Sequence, residues 1–254
     1  MFGAAMKTYF AKSIDADPND ICTVSIMPCL AKKGEQNMEL FYEEYAGHDI
    51  DIVLTTRELT RMIRAAHIEP TTLQDVPCDE LMRDASGAGV IFGATGGVME
   101  AALRTSYFLI TGKNPDADAF HAVRRTREDE FTMTAEIPIG DLVIKTAIVS
   151  GLGNARRLID RIERDEVHYD FVEVMACPGG CVGGGGQPIH DSEELALTRS
   201  QNLYFLDASN ELRFCHENPD IQKLYQYFMG APLSHKAHML LHTDHNIWEM
   251  PKRK

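Results

Sequence analysis

The sequence predicts an α/β protein in which helices flank a parallel or mixed sheet and a helical tail ends the chain. Two observations indicate this fold class. Short β-rich runs alternate with helical segments up to residue 175, and glycine or cysteine loops repeatedly follow the runs. Beyond residue 190 the pattern becomes helical. We therefore predict two parts, residues 1–190 and a helical tail over residues 191–254.

The first predicted elements lie before residue 67. An amphipathic helix begins at Met1, because the apolar residues of the first segment recur at helical spacing. It has no capping residue before it, which leaves two interpretations open: a natural N-terminal helix, or a chain that starts inside a domain whose earlier part is absent. Strands over residues 21–26 and 50–55 come next, and the second leads into a helix over residues 56–66.

The later elements repeat the strand–loop–helix order. A polar connection over residues 69–86 precedes a third predicted strand, residues 89–92, and a helix over residues 98–110. A hairpin over residues 131–137 and 142–149 precedes a helix over residues 155–163 and a strand over residues 169–174. The tail helices are expected over residues 192–209, 221–229 and 234–245. Since parallel strands end at one edge of a sheet, the loops that follow them should converge there.

Composition limits the classes of function. The 254 residues carry a formal net charge of −13, which argues against binding to nucleic acid or to an anionic membrane surface. The first residues lack the layout of a signal peptide, and no stretch approaches the roughly 20 apolar residues of a membrane span. The six cysteines are scattered, so we expect them to stay reduced rather than form a disulfide framework. These features predict a cytoplasmic protein that makes no membrane contact.

The most informative stretch is the loop after the strand that ends at Val174. It contains Cys177 and Cys181, four residues apart, and a run of glycines from Gly183 to Gly186. Glycines let the backbone wrap closely around a bound group, and thiolates held in this way suit an iron–sulfur cluster. Zinc is the alternative, although it usually requires a tighter Cys-x-x-Cys pair and a second pair of ligands.

Four further residues are candidates for the same site. A proline ends the first long strand, so Cys29 lies at the carboxyl end of that strand. Met27 and Met175 each precede a cysteine by two residues, and this spacing places them on the same strand face as the sulfurs. Lys32, three residues after Cys29, could direct a cation at a negatively charged ligand.

Other patterns are weaker. The glycines at 151–153 and 93–97 lack the remaining residues of a dinucleotide loop and of a phosphate loop, so both are interpreted as close-packed turns. Three histidines share a helix face in the tail and are more typical of an amphipathic helix than of a metal site: His235, His238 and His242. Two basic clusters are either solvated helix faces or a docking surface for an acidic electron carrier: Arg124, Arg125 and Arg127, and Arg156, Arg157, Arg161 and Arg164.

Several segments together resemble the FeFe-hydrogenases. MPCLAKKGE at residues 27–35 and EVMACPGGCVGGGGQP at residues 173–188 look like the second and third signatures of that family. Residues 91–104, 149–156 and 232–243 are also similar, the last of them to the family's small-subunit segment. The resemblance implies an incomplete H-cluster catalytic domain, whose reaction is the reversible reduction of protons to molecular hydrogen. A non-catalytic hydrogenase-like iron–sulfur assembly or sensor protein is the alternative.

The resemblance also implies roles for individual residues. Cys29, Cys177 and Cys181 would ligate a 4Fe–4S cubane, and Cys181 would bridge it to a diiron site with carbon monoxide, cyanide and a dithiolate amine. Lys32 would hydrogen-bond a cyanide. The remaining residues would line the diiron pocket: Met27, Phe92, Gly93, Val98 and Met175. A ferredoxin or a similar acidic carrier would exchange electrons with the cubane.

One family signature is missing. Thr-Ser-Cys-Cys-Pro, which would supply a fourth cubane ligand and a proton-delivering cysteine, does not occur in the 254 residues. Cys22 lies on the same extended run as Cys29, roughly 23 Å from it at about 3.3 Å per residue. Cys22 is therefore too distant to serve as the missing fourth ligand. We therefore expect a fragment or a chain that pairs with a separate N-terminal hydrogenase chain, and little hydrogen evolution from this chain alone.

Overall fold

The strands form separate small sheets rather than one. The computed structural model describes residues 1–43, 46–79, 82–124, 132–190 and 195–243. In the N-terminal part, β1 (Val24–Met27) pairs in parallel with β4 (Ile52–Thr55), and β2 (Tyr42–Glu43) pairs in antiparallel fashion with β3 (Gly47–His48). The third sheet is mixed: β5 (Thr132–Ile139) is antiparallel to β6 (Leu142–Ser150), which pairs in parallel with β7 (Phe171–Met175).

Helices surround these sheets. They are α1 (Phe2–Ala5), α2 (Ala11–Ser13), α3 (Ala31–Gln36), α4 (Thr56–Ala65), α5 (Gly87–Val90), α6 (Gly97–Thr111), α7 (Leu152–Glu163), α8 (Ala196–Ser209), α9 (Pro219–Leu224) and α10 (His235–Leu241). A wider helical turn over Met6–Phe10 joins α1 to α2, so the predicted N-terminal helix is present. No helix within the described ranges is both long and apolar enough to cross a membrane.

The predicted fold class is confirmed, with two corrections. The class itself, a mixture of parallel and mixed sheets flanked by helices, is as expected. The expectation that all site loops leave one sheet is wrong, because β1 and β7 belong to different sheets. Positions 131, 192 and 245, which were predicted to lie in a strand and in tail helices, are outside the described residues.

The second correction concerns residues 89–92, which are helical although a strand was predicted. α5 ends at Val90, and a single 3-10 turn covers Ile91–Gly93. Ser86 caps α5, because its hydroxyl accepts a hydrogen bond from the Gly89 amide at 3.2 Å. Ile91 is fully buried, and α8 packs against this segment. An apolar run this short does not distinguish a strand from a helix that is buried against another helix.

A capping box begins α4 directly after β4. The Thr55 hydroxyl accepts a hydrogen bond from the Glu58 amide, and the Glu58 carboxylate accepts one from the Thr55 amide at 2.7 Å. Lys33 on α3 donates to the same carboxylate at 3.0 Å. These hydrogen bonds, the one from the Thr55 backbone first, lower the pKa of Glu58 from 4.5 to about 2. The box therefore joins α4 to α3, the helix that follows Cys29.

The main core lies between α6 and the mixed sheet. Its buried members include Met99, Leu103, Ile137, Ile139 and Ile148. On the other side of α6, the buried Arg104 guanidinium donates to both carboxylate oxygens of Asp207 on α8, at 2.9 and 2.8 Å. It also donates to Glu100 at 2.8 Å. Removing one member of such a pair would leave a buried charge uncompensated, so the contact fixes the tail helix on α6.

Candidate functional site

Three loops that lie far apart in sequence pack against one another. The Gly186 amide donates a hydrogen bond to the Pro28 carbonyl at 2.9 Å, which joins the glycine run to the loop after β1. The Thr95 amide donates to the Gly179 carbonyl at 3.3 Å, which joins the same cysteine loop to the turn before α6. The segments that contain the predicted ligands Cys29, Cys177 and Cys181 therefore meet, although they leave two different sheets.

Two glycines make this approach possible. A Cβ atom on Gly184 would lie 2.2 Å from the Pro28 carbonyl oxygen, far inside van der Waals contact. Gly180 has a φ of +93°, and a Cβ there would lie 2.7 Å from the Thr95 amide nitrogen. Only a residue without a side chain fits at either position. The loop is thus a close-packed cradle, as its glycine content predicted.

Ser150, the last residue of β6, holds the first turn of the cysteine loop. Its hydroxyl donates to the Cys177 carbonyl at 3.0 Å and accepts from the Gly179 amide at 3.1 Å. The Gly151 amide donates to the Met175 carbonyl at 2.7 Å. The end of the mixed sheet therefore fixes the backbone on both sides of Cys177.

Glu173 on β7 connects the cysteine strand to the start of α6. Its buried carboxylate accepts hydrogen bonds from the Gly96 amide at 2.6 Å and the Met99 amide at 2.7 Å. Burial raises the pKa of Glu173, and the two backbone hydrogen bonds oppose that rise. The sequence analysis did not assign a role to Glu173. Its signal was an acidic residue at an inward position of an otherwise apolar strand.

Two arginines, also missed from the sequence, contact the glycine run or the residues that flank it. Arg57 on α4 donates to the Gly185 and Gln187 carbonyls, and Arg199 on α8 donates to the Val182 and Pro188 carbonyls. Their signal was a basic side chain near the start of a helix, where the helix dipole disfavours positive charge unless another partner compensates.

The three predicted sulfur ligands share one electrostatic environment. Cys29 and Cys177 are half-buried, whereas part of Cys181 is exposed to solvent. Burial of the thiol raises the pKa of Cys181, the neighbouring thiols of Cys177 and Cys29 raise it further, and the Lys32 ammonium lowers it. In the described part of the chain, no three His, Cys, Asp or Glu side chains lie close enough to hold a single metal ion.

Two of the predicted cofactor-binding residues line the same cavity. Met27 and Lys32 line a cavity of about 180 Å³, and Lys32 forms an ion pair with Glu35 at 2.5 Å. The other predicted residues lie outside that cavity: Phe92, which is 45% exposed, and the half-buried Gly93, Val98 and Met175.

Comparison with known families identifies the chain. A family described as "Iron only hydrogenase large subunit, C-terminal domain" matches residues 1–185. The chain belongs to the iron-only hydrogenase family. A second family, described as "Iron hydrogenase small subunit", matches residues 193–247. The resemblance found in the sequence is therefore confirmed, while the division into residues 1–190 and 191–254 stays a prediction.

Individual relatives agree with the family. The "NADP-reducing hydrogenase subunit HndD" of Solidesulfovibrio fructosivorans is 44% identical over 246 residues, which are 96% of this chain and 41% of that protein. The "Cytosolic iron-sulfur assembly component 3" of Mus musculus is 31% identical over 258 residues, covering 99% of this chain and 53% of that protein. A variant of the FeFe-hydrogenase HydA1 from Chlamydomonas reinhardtii has a TM-score of 0.79 and 37% identity, covering 95% of this chain and 67% of that one. The chain thus spans about half the length of these curated relatives.

The other cysteines and the tail histidines of this iron-only hydrogenase chain form no three-residue metal-ligand group within the described ranges. Cys22 and Cys78 are exposed, and the Cys215 sulfur lies 3.5 Å from the Ser86 hydroxyl. The His238 and His242 rings stack with centroids 4.8 Å apart. Arg125 and Arg127 of the first basic cluster are outside the described residues, whereas Arg156, Arg157 and Arg164 of the second are exposed and Arg161 is half-buried on α7.

Proposed function

We propose that this chain is the part of an FeFe-hydrogenase catalytic domain that holds the H-cluster and supports the reversible reduction of protons to hydrogen. The observation that carries the proposal is the meeting of the loops after β1 and β7. That contact brings Cys29, Cys177 and Cys181 into mutual electrostatic range within a glycine-built cradle. In the proposal these thiolates ligate a 4Fe–4S cubane, and Cys181 also bridges it to the diiron site.

The donor set fits such a cluster better than a single metal ion. Thiolate is the usual ligand of iron–sulfur clusters, whose irons occupy different corners and so take ligands from different directions. The three cysteines come from two sheets and do not surround one point. The loops after β1 and β7 contain no cysteine besides Cys29, Cys177 and Cys181. We infer that a fourth cubane ligand must come from outside these loops.

The bound cofactor would supply electron exchange and the chemistry of hydrogen, and the chain's own residues would hold and orient it. Lys32, which pairs with Glu35 in the structure, would donate a hydrogen bond to a cyanide ligand. Met27, Met175, Phe92, Gly93 and Val98 would line the diiron site. Apolar and glycine surroundings limit water at a cofactor and make fixed donors more effective.

A polypeptide that carries the Thr-Ser-Cys-Cys-Pro signature is the partner that we propose for the fourth cubane ligand, either as a separate N-terminal hydrogenase chain or as a preceding part of a longer chain. One face of the β1–β4 sheet is apolar and exposed: Val24 is 52%, Ile26 50% and Ile52 44% accessible. Parallel sheets are normally covered on both faces, so this face fits a partner segment. A polypeptide that contains the Thr-Ser-Cys-Cys-Pro signature should form a complex with this chain in gel filtration, and independent elution of the two would refute the pairing.

A ferredoxin or a similar acidic carrier is the electron partner that we propose. Exposed arginines on α7 give a local positive surface on a protein of net charge −13. This helix directly follows β6, whose last residue, Ser150, donates a hydrogen bond to the Cys177 carbonyl. Complementary charge mainly increases the association rate and makes it depend on salt. Association with ferredoxin should weaken when Arg156 is changed to Glu, and an unchanged rate would count against this surface.

A non-catalytic hydrogenase-like iron–sulfur protein is the second candidate. The 31% identity to a protein named as an iron–sulfur assembly component favours it. The presence of Lys32, Met27 and Met175 argues against it, because a cubane alone has no use for residues that contact diiron ligands. Infrared bands of carbon monoxide and cyanide after maturation separate the two candidates.

The test begins with iron binding by the 254-residue chain under anaerobic reconstitution. We expect about four iron atoms per chain and the EPR signal of a reduced cubane. Cys29→Ser, Cys177→Ser and Cys181→Ser should each lose most of the iron, because each removes a thiolate ligand. Cys78→Ser is the matched control, because Cys78 is an exposed cysteine outside the three loops. This variant should keep the iron.

The same preparations decide the catalytic part. After maturation, the chain alone should evolve little hydrogen from reduced viologen, and adding the proposed N-terminal chain should increase the rate. Iron retained by all three loop-cysteine variants would show that the cluster is not held there. Hydrogen evolution by the chain alone, at the rate of an intact enzyme, would refute the need for a partner.

A further inference from the structure

Two arginines bind the loop segment from Val182 to Pro188, which contains the glycine run. The Arg57 guanidinium donates to the Gly185 carbonyl at 2.9 Å and to the Gln187 carbonyl at 3.1 and 2.8 Å. The Arg199 guanidinium donates to the Val182 carbonyl at 3.1 Å and to the Pro188 carbonyl at 2.8 Å. The two side chains therefore satisfy four carbonyls within seven consecutive residues of the loop.

The two arginines come from different parts of the chain. Arg57 is the second residue of α4, within the region matched by the large-subunit family, and Arg199 is the fourth residue of α8, within the region matched by the small-subunit family. The Arg57 amide also donates to the Gly186 carbonyl at 3.0 Å. The loop is thus fixed between the N-terminal sheet and the tail, rather than by its own strand alone.

Both arginines keep their full charge. Neither guanidinium pairs with a carboxylate among the residues in the described ranges; both bind neutral carbonyls instead. A carbonyl attracts a cation without cancelling its charge. Because both lie in the first turn of a helix, where positive charge is disfavoured, the loop contacts are what compensate for their position.

We propose that Arg57 and Arg199 are positioning residues that fix the Cys181 loop and raise the reduction potential of a cluster bound there. The electrostatic half of this proposal rests on the proposed function. Reduction adds negative charge to a cluster, and nearby uncompensated cations stabilise the reduced form. The positioning half concerns the polypeptide alone. It makes the tail a component of the site, because one of the two arginines lies on α8.

The positioning half is tested on the metal-free chain by amide hydrogen exchange of residues 177–188. Arg57→Gln and Arg199→Gln remove the forked donor, and exchange in this segment should become about tenfold faster because the loop opens more often. Arg64→Gln is the matched control, since Arg64 lies exposed on the same helix as Arg57 and no hydrogen bond joins it to the loop in the described residues. Unchanged exchange in both test variants would overturn the proposal that the two arginines fix the loop.

The electrostatic half is tested by the midpoint potential of the reconstituted cubane, followed by EPR. The Gln variants should have a lower potential than the parent chain, and the Arg57→Lys and Arg199→Lys variants should recover it while keeping the faster exchange. If the arginines acted only by holding the loop, the Lys variants, which keep the charge but not the loop contacts, would not recover the potential. Equal potentials in the Gln and Lys variants would overturn this half. If the parent chain bound no cluster, the proposed function would fail. The exchange experiment would still decide whether Arg57 and Arg199 fix the loop.

Discussion

The two sheets that present the cysteines differ in how well the chain covers them. The mixed sheet that carries Cys177 is buried against α6 and α7: Ile137, Ile139 and Ile148 are at most 5% exposed. The parallel pair that precedes Cys29 has only two strands, and its outer face leaves Val24 and Ile26 about half exposed. Two-stranded sheets are marginal by themselves. One side of the site therefore has its own core, and the other depends on neighbouring loops.

This difference shows where the position of Cys29 is decided. The carbonyl before Cys29 accepts a hydrogen bond from Gly186, and the capping box at Thr55 joins β4 to α4 and α3. Arg57 then connects α4 to the glycine run. Cys29 is placed by contacts with the Cys181 loop, so changes in that loop should affect the N-terminal sheet more than the mixed sheet.

The largest expected effect separates the two sheets by stability. Ile148→Ala empties space in the buried core and should lower the free energy of unfolding by about 2–5 kcal/mol. Ile26→Ala, on the exposed face of β1, should change it by no more than about 0.5 kcal/mol. Urea unfolding followed by circular dichroism measures both. Similar losses in the two variants would mean that the N-terminal sheet is covered in solution.

A smaller effect is expected where the two sides meet. A Cβ at position 184 collides with the Pro28 carbonyl, so Gly184→Ala should cost about 1–3 kcal/mol and speed exchange of the Gly186 amide. It should also lower the iron content after reconstitution. Gly185→Ala is the control, because its Cβ would meet only the Leu30 side chain at an ordinary 3.6 Å. If both alanine variants behaved alike, the Gly184–Pro28 approach would not determine the site.

The smallest effect concerns the capping box and depends on pH. The folded-state pKa of Glu58 is about 2, below its ordinary value of 4.5. Ionised Glu58 therefore contributes fully to the stability of the folded state above its ordinary pKa of 4.5. That contribution is lost as the pH falls toward the folded-state pKa of about 2. Exchange of the amides at the start of α4 should accelerate across that range. Glu58→Gln should remove this pH dependence, and an identical acid response in the variant would assign it to another group.

Some elements were predictable because their signals are local. The period of the apolar residues located α4, α6, α7 and the hairpin of β5 and β6 to within a few residues. The glycine run predicted a close-packed loop, and Gly180 and Gly184 are indeed positions where a side chain does not fit. The segment at 89–92 was predicted wrongly, since its apolar run has the same pattern in a strand and in a buried helix.

Other parts of the site had only weak local signals. Glu173, Arg57 and Arg199 act through partners that are more than ten residues away in sequence, so residue type and spacing did not reveal them. The split into separate sheets was missed for a similar reason. Strand patterns show which residues face a core, but they do not show which strands pair.

The sequence by itself determined the family and the fold class, because motif spacing, glycine content and apolar period are properties of the chain alone; the iron ligands stay a prediction. The tertiary structure decided that the cysteines leave two sheets, that the Cys181 loop is held by arginines from α4 and α8, and that Cys29 depends on that loop. These features required the fold, because each is a hydrogen bond or a steric limit between segments whose approach no local pattern encodes.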